Sequence, residues 1–157
     1  MANWKKPPKA KIYEALGAIG DKRVTLLENR TAQVVSSSGD KTYTVEWSED
    51  EKAITSNDNA SFWQGYLGYP ILAVLMLKNK IVFDPRIASI LKGIHWKKIN
   101  KQFNNKYDAA IEHILSSLEM NGVNKEEIII EINKIDSQLI ELELNRMPSH
   151  NKPPKGK

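Results

Sequence analysis

Apolar positions along this chain follow two periods, and the change from one to the other divides it. Ile12, Ala15, Leu16 and Ile19 fall at helical spacing ahead of Gly20, which predicts a short first helix closed by a glycine. Residues 32–36 (AQVVS) and 42–47 (TYTVEW) alternate instead and are rich in β-branched side chains, and the SSGDK between them predicts a hairpin. Tyr43, Val45 and Trp47 share one face of the second strand. Leu26 and Leu27 mark an earlier strand. Residues 53–56 (AITS) mark a later one after the acidic turn SEDE, so the predicted sheet is a small antiparallel meander.

After Ser56 the texture changes: SNDN leads into aromatics, two glycines and an apolar run with Pro70 at its head. Proline is favourable at the first helical position, so a buried helix is predicted over about residues 70–78. Asp84-Pro85 reads as the cap and first residue of the next helix, striped by Ile87, Ile90, Leu91 and Ile94. Trp96, Ile99 and Phe103 continue at helical spacing, with Lys97, Lys98 and Lys101 on the opposite side. Tyr107, Ile111, Ile114, Leu115 and Leu118 predict a further helix ended by Asn121-Gly122. Asn124 followed by Glu127 predicts a capping box for the last one, whose seam is Ile128, Ile132, Ile135, Leu139 and Leu142. That seam serves either the domain's own core or a partner. The expected fold is α+β: an N-terminal helix and a small antiparallel β-meander, then a helical C-terminal half, over about residues 84–146, ending in a helical hairpin. One domain is expected over residues 10–146, between disordered basic tails at 1–9 and 147–157 that are rich in Pro and Lys.

Composition narrows the chemistry. A chain of 157 residues buries enough surface to fold without a staple. The absence of cysteine removes disulfides, thiol nucleophiles and thiolate zinc sites, while His95, His113 and His150 lie too far apart in sequence to suggest an all-histidine site. No nucleophile-elbow, Walker or dinucleotide-loop pattern occurs, so neither an enzyme nor a cofactor is expected. The longest apolar run, residues 66–77, contains a proline and falls short of the roughly 20 residues a membrane helix needs, so no membrane association is expected. No apolar stretch follows the basic residues 1–11, which points to a cytoplasmic protein.

Charge is segregated. The net charge is +4, from 23 basic and 19 acidic residues. Residues 78–106 carry eight bases and one acid, and residues 107–146 carry three bases and nine acids. Within the basic block, residues 92–106 (KGIHWKKINKQFNNK) hold Lys92, Lys97, Lys98, Lys101 and Lys106 with Trp96 and Phe103 between them and no acid. Such a helix suits the tracking of phosphates in nucleic acid, DNA or RNA, and suits a plain solvated face equally. Asn57, Asp58, Asn59, Phe62, Trp63, Gln64, Tyr66 and Tyr69 form the densest aromatic and amide cluster in the chain. They are candidates for stacking and hydrogen-bonding a base or a protein partner, the alternative being that they pack on the meander while SNDN caps the turn.

The order of TYTVEW, a short strand ending in polar residues, a loop and a helix reading ILAVLM resembles the SWIM zinc-finger domain over about residues 41–77. The family's two metal-binding pairs would fall near residues 54–56 and on Gly68-Tyr69-Pro70, none of which can ligate zinc. The resemblance therefore implies a degenerate, metal-independent version, and binding of DNA or protein in place of catalysis. The expected function is a small binding module for nucleic acid, with a protein-interaction or self-association module as the alternative.

Overall fold

Two helices are buried on every side, and the rest of the chain is laid around them. In the computed structural model, which describes residues 3–155, α1 (Lys9–Gly20) has every residue from Ala10 to Ala18 buried, and α2 (Tyr69–Leu77) every residue from Pro70 to Met76. A helix that is apolar all round belongs inside, which accounts for the run ILAVLM. It does not account for Lys11 and Glu14, which are buried on α1 with it.

The strands β1 (Val24–Leu26), β2 (Thr31–Val35), β3 (Thr42–Trp47) and β4 (Ala53–Ser56) form the expected antiparallel meander. The register sets Ala32 opposite Val45 and Val34 opposite Tyr43. A fifth strand, β5 (Asn145–Arg146), joins β4 in parallel and closes the other edge. Nothing in the polar Asn-Arg pair announces a strand. α2 packs on β1, β3 and β4, and α1 packs on α2 from the far side. α3 (Pro85–Ile90), α5 (Tyr107–Met120) and α6 (Lys125–Glu141) then close over α1, and α4 (Trp96–Gln102) leans on α5. The predicted fold class is the one observed, with α5 and α6 joined by the Asn121–Gly122 turn and packed together.

Three local expectations need correction. Residues 92–106 do not make one helix: Gly93 adopts φ +77, the chain turns, and only Trp96–Gln102 is helical before Asn104 and Asn105 enter left-handed conformations. The capping box on α6 is half formed. Asn124 accepts from the Glu126 N–H at 3.0 Å, but Glu127 reaches across to Arg86 at 2.9 Å. Residues 3–7 of the expected N-terminal tail are docked, not disordered. Trp4 donates its indole N–H to the Ile54 carbonyl at 3.0 Å, Pro7 is buried, and Lys6 meets Asp136 at 2.8 Å. At the other end, Asn57 donates to the Lys152 carbonyl at 3.1 Å and His150 meets Glu46 at 2.9 Å. Met1, Ala2, Gly156 and Lys157, the extremes of the two expected tails, lie outside the described residues. No helix among the described residues is long and apolar enough to cross a membrane.

Candidate functional site

The aromatic-amide cluster is split by the fold. Phe62 and Trp63 lie edge to face at 4.6 Å on the π-helical turn Ala60–Gln64, where Trp63 is 68% exposed and Gln64 also faces solvent. Asn57 is buried and structural, its Oδ1 accepting from the Thr44 N–H at 2.8 Å. Tyr66 is half-buried and close enough to Lys11 for their charges to interact. Asp58, Asn59 and Tyr69 turn the other way and line a cleft of about 220 Å³.

The basic block is divided too. Lys97 lies at the cleft and pairs with Asp40 of the β2–β3 hairpin at 3.1 Å. Lys92, Lys98, Lys101 and Lys106 are exposed and make no ion pair among the described residues. Lys106 caps the start of α5 and is not part of α4. Trp96, set by the helical spacing opposite the lysines, is 2% exposed, and Phe103 rests on His113 at 5.4 Å.

Six segments contribute most of the cleft. α1 supplies Lys11 and Glu14, the hairpin Ser36, Ser37 and Lys41, β3 Tyr43, the loop after β4 Asp58 and Asn59, and α4 Trp96, Lys97 and Asn100. The head of α2 adds Tyr69. The position of Asp58 follows from local chemistry: its Oδ2 accepts from the Ser61 N–H at 3.0 Å, capping the π-helical turn, while Ser61 Oγ accepts from the Gly68 N–H at 3.0 Å. That arrangement leaves Asp58 Oδ1 buried without a hydrogen-bond partner in the protein. A buried acceptor of this kind costs free energy unless something supplies a donor.

The cleft floor holds protons tightly. Burial pushes the Glu14 carboxyl up, Lys11 opposes that, and Asp58 reinforces it. Burial alone would lower Lys11, but Glu14 at 3.1 Å together with Tyr107 and Tyr66 more than reverses this, so the ammonium also lies above its ordinary value. Arg23, which also lines the cleft, opposes the rise at Glu14 as Lys11 does, and burial outweighs both cations there. The walls are aromatic. Tyr43 and Tyr69 meet edge to face at 6.2 Å, and burial pushes the Tyr43 phenol up to about 12 and Tyr69 further still.

Lys11, Glu14, Tyr43, Trp96 and Asn100 carry the site and were not among the sequence candidates for it, although Trp96 figured in the basic block. The available signal was the i, i+3 pair of opposite charges in the otherwise apolar KIYEALGAIG. Among the described residues no group of three or more His, Asp or Glu is placed to hold a metal ion. No curated protein and no solved structure matches the chain. The family model described as "Uncharacterised conserved protein UCP014422" matches residues 4–145, and the chain belongs to that family.

Proposed function

We propose that the protein is a non-enzymatic module that binds single-stranded nucleic acid, with one unstacked base entering the cleft and the flanking phosphates held by the α4 lysines. One observation carries this reading. α4 contributes Trp96 and Asn100 to the cleft wall and Lys97 to its lip, and Lys101 follows Lys97 by one helical turn into solvent. A base-sized, aromatic-walled recess thus opens directly onto a row of cations. That combination suits a stacking surface beside a phosphate track. Duplex is disfavoured, because a base can enter such a recess only after leaving its stack.

Fluorescence-polarisation titration of the full chain against labelled single-stranded and duplex oligonucleotides, at about 50 and 200 mM salt, tests it. Micromolar or weaker binding is expected, tighter to single strands and steeply lost at the higher salt. Absence of binding to every oligonucleotide at low salt overturns the reading. The exposed Trp63 and its neighbour Phe62 would then be the first surface to examine for a protein partner.

A further inference from the structure

Resting on the nucleic-acid reading, we infer that the cleft is a base-selective pocket that takes guanine, reading its Watson–Crick edge with the Glu14 and Asp58 carboxylates and Lys11. The recess, of about 220 Å³, has room for one planar heterocycle. Two buried carboxylates line it. Asp58 is 4% exposed, with Oδ1 unpartnered, and Glu14 is 8% exposed and touches one cation. Lys11, 9% exposed and in contact with that same carboxylate, is a donor with no acceptor capacity.

The order of groups on a base edge decides which base fits. Guanine presents two adjacent donors, the ring N–H and the exocyclic amine, next to one carbonyl acceptor, which complements carboxylates beside an ammonium. Adenine and cytosine place a ring acceptor next to their amine and would aim a lone pair at a carboxylate. Uracil and thymine offer one donor between two acceptors. Tyr43, Tyr69 and Trp96 line the recess with aromatic surface for a planar ring, and Glu14, whose charged form burial disfavours, gains from donors that a ligand brings. A guanine supplies them, neutralising the strain of the unpartnered Asp58 oxygen.

The test uses the unmodified full chain and labelled single strands of thymidine carrying one central guanine, adenine, cytosine or hypoxanthine. Hypoxanthine is guanine without the exocyclic amine. One guanine should tighten binding about tenfold or more over thymidine alone, and hypoxanthine should lose most of that gain. Equal affinity for all four strands, or equal affinity for guanine and hypoxanthine, overturns the inference while leaving the nucleic-acid reading standing. No binding to any strand at low salt overturns that reading itself. Glu14→Gln, checked by its melting curve, should abolish the guanine preference, bringing the guanine strand down to whatever affinity the same variant has for thymidine alone. If that variant does not fold, the guanine and hypoxanthine comparison on the unmodified chain still decides.

Discussion

Gly68 and Asp58 meet so closely that a Cβ built on the glycine would lie 2.1 Å from Asp58 Oδ2 and 2.6 Å from Ser61 Oγ. Gly68 has φ −70, an ordinary value, so the glycine is required by proximity and not by backbone conformation. Gly68→Ala should therefore push Asp58 off its Ser61 cap. We expect a loss of about 1–3 kcal/mol in urea denaturation, as for other overpacked buried sites. A variant as stable as the parent would mean that Asp58 moves freely and is not held by its neighbours.

The Lys11–Glu14 pair lends itself to a double-mutant cycle. Removing one partner of a buried ion pair typically costs ~3–5 kcal/mol, so Lys11→Met should be strongly destabilising at neutral pH. Lowering the pH should shrink that cost, because Glu14 takes up a proton more readily than an exposed carboxyl. Lys11→Met combined with Glu14→Gln should recover most of the loss. Additive costs in the double variant would show that the two groups do not interact.

Asp40 is held well below the ordinary carboxylate range by Ser38, Lys97 and Ser36, and its ion pair occupies one of the lysines proposed to contact phosphate. Asp40→Asn should release Lys97 and tighten binding to single strands. Lys98→Ala with Lys101→Ala should lower the salt slope by about 0.7 per lost contact, leaving stability within about 0.5 kcal/mol. Polarisation titrations over a salt series read both effects. An unchanged slope in the double variant would remove α4 from the interface.

Alkali should unfold the protein. Tyr13 and Tyr43 are pushed up to about 12 by burial, and Tyr69 beyond that. The folded state thus keeps protons that the unfolded chain loses above pH ~10, and stability must fall as pH rises through that point. Absorbance titration should show tyrosinate appearing in step with loss of near-ultraviolet dichroism. Titration of all five tyrosines near their ordinary value without unfolding would contradict the buried placement.

The docked N-terminus predicts that Trp4→Ala is felt far from the chain end. The indole bonds the Ile54 carbonyl in β4, and the Arg146 guanidinium of β5 lies 5.1 Å from the ring. Loss of a half-buried indole and its hydrogen bond should cost about 1–3 kcal/mol. At roughly 2–4 °C per kcal/mol for a chain of this size, calorimetry will register it. An unchanged melting temperature would return residues 3–8 to the disordered tail that their composition suggests.

Much of the fold could be read from local pattern. The alternation of TYTVEW, the Asp84-Pro85 cap, where Asp84 accepts from the Arg86 N–H at 2.9 Å, and the seam of α6 all sit where near-neighbour physics puts them. The aromatic-amide cluster was only half legible. The same eight residues point to opposite sides because the π-helical turn and the left-handed Gly65, at φ +74, rotate the chain between Asp58 and Tyr69.

By itself, then, the sequence determined the periods, the caps, the lack of thiol chemistry and the segregation of charge, because each depends on residues within a few positions of one another. Tertiary structure alone decided the site. Lys11 and Glu14 become a cleft floor only because α2 and the outer helices enclose α1, and β5 exists only because β4 offers an unpaired edge when the chain returns from α6. Contacts between residues dozens of positions apart leave no period in the sequence, and burial of a charge is a property of what surrounds it.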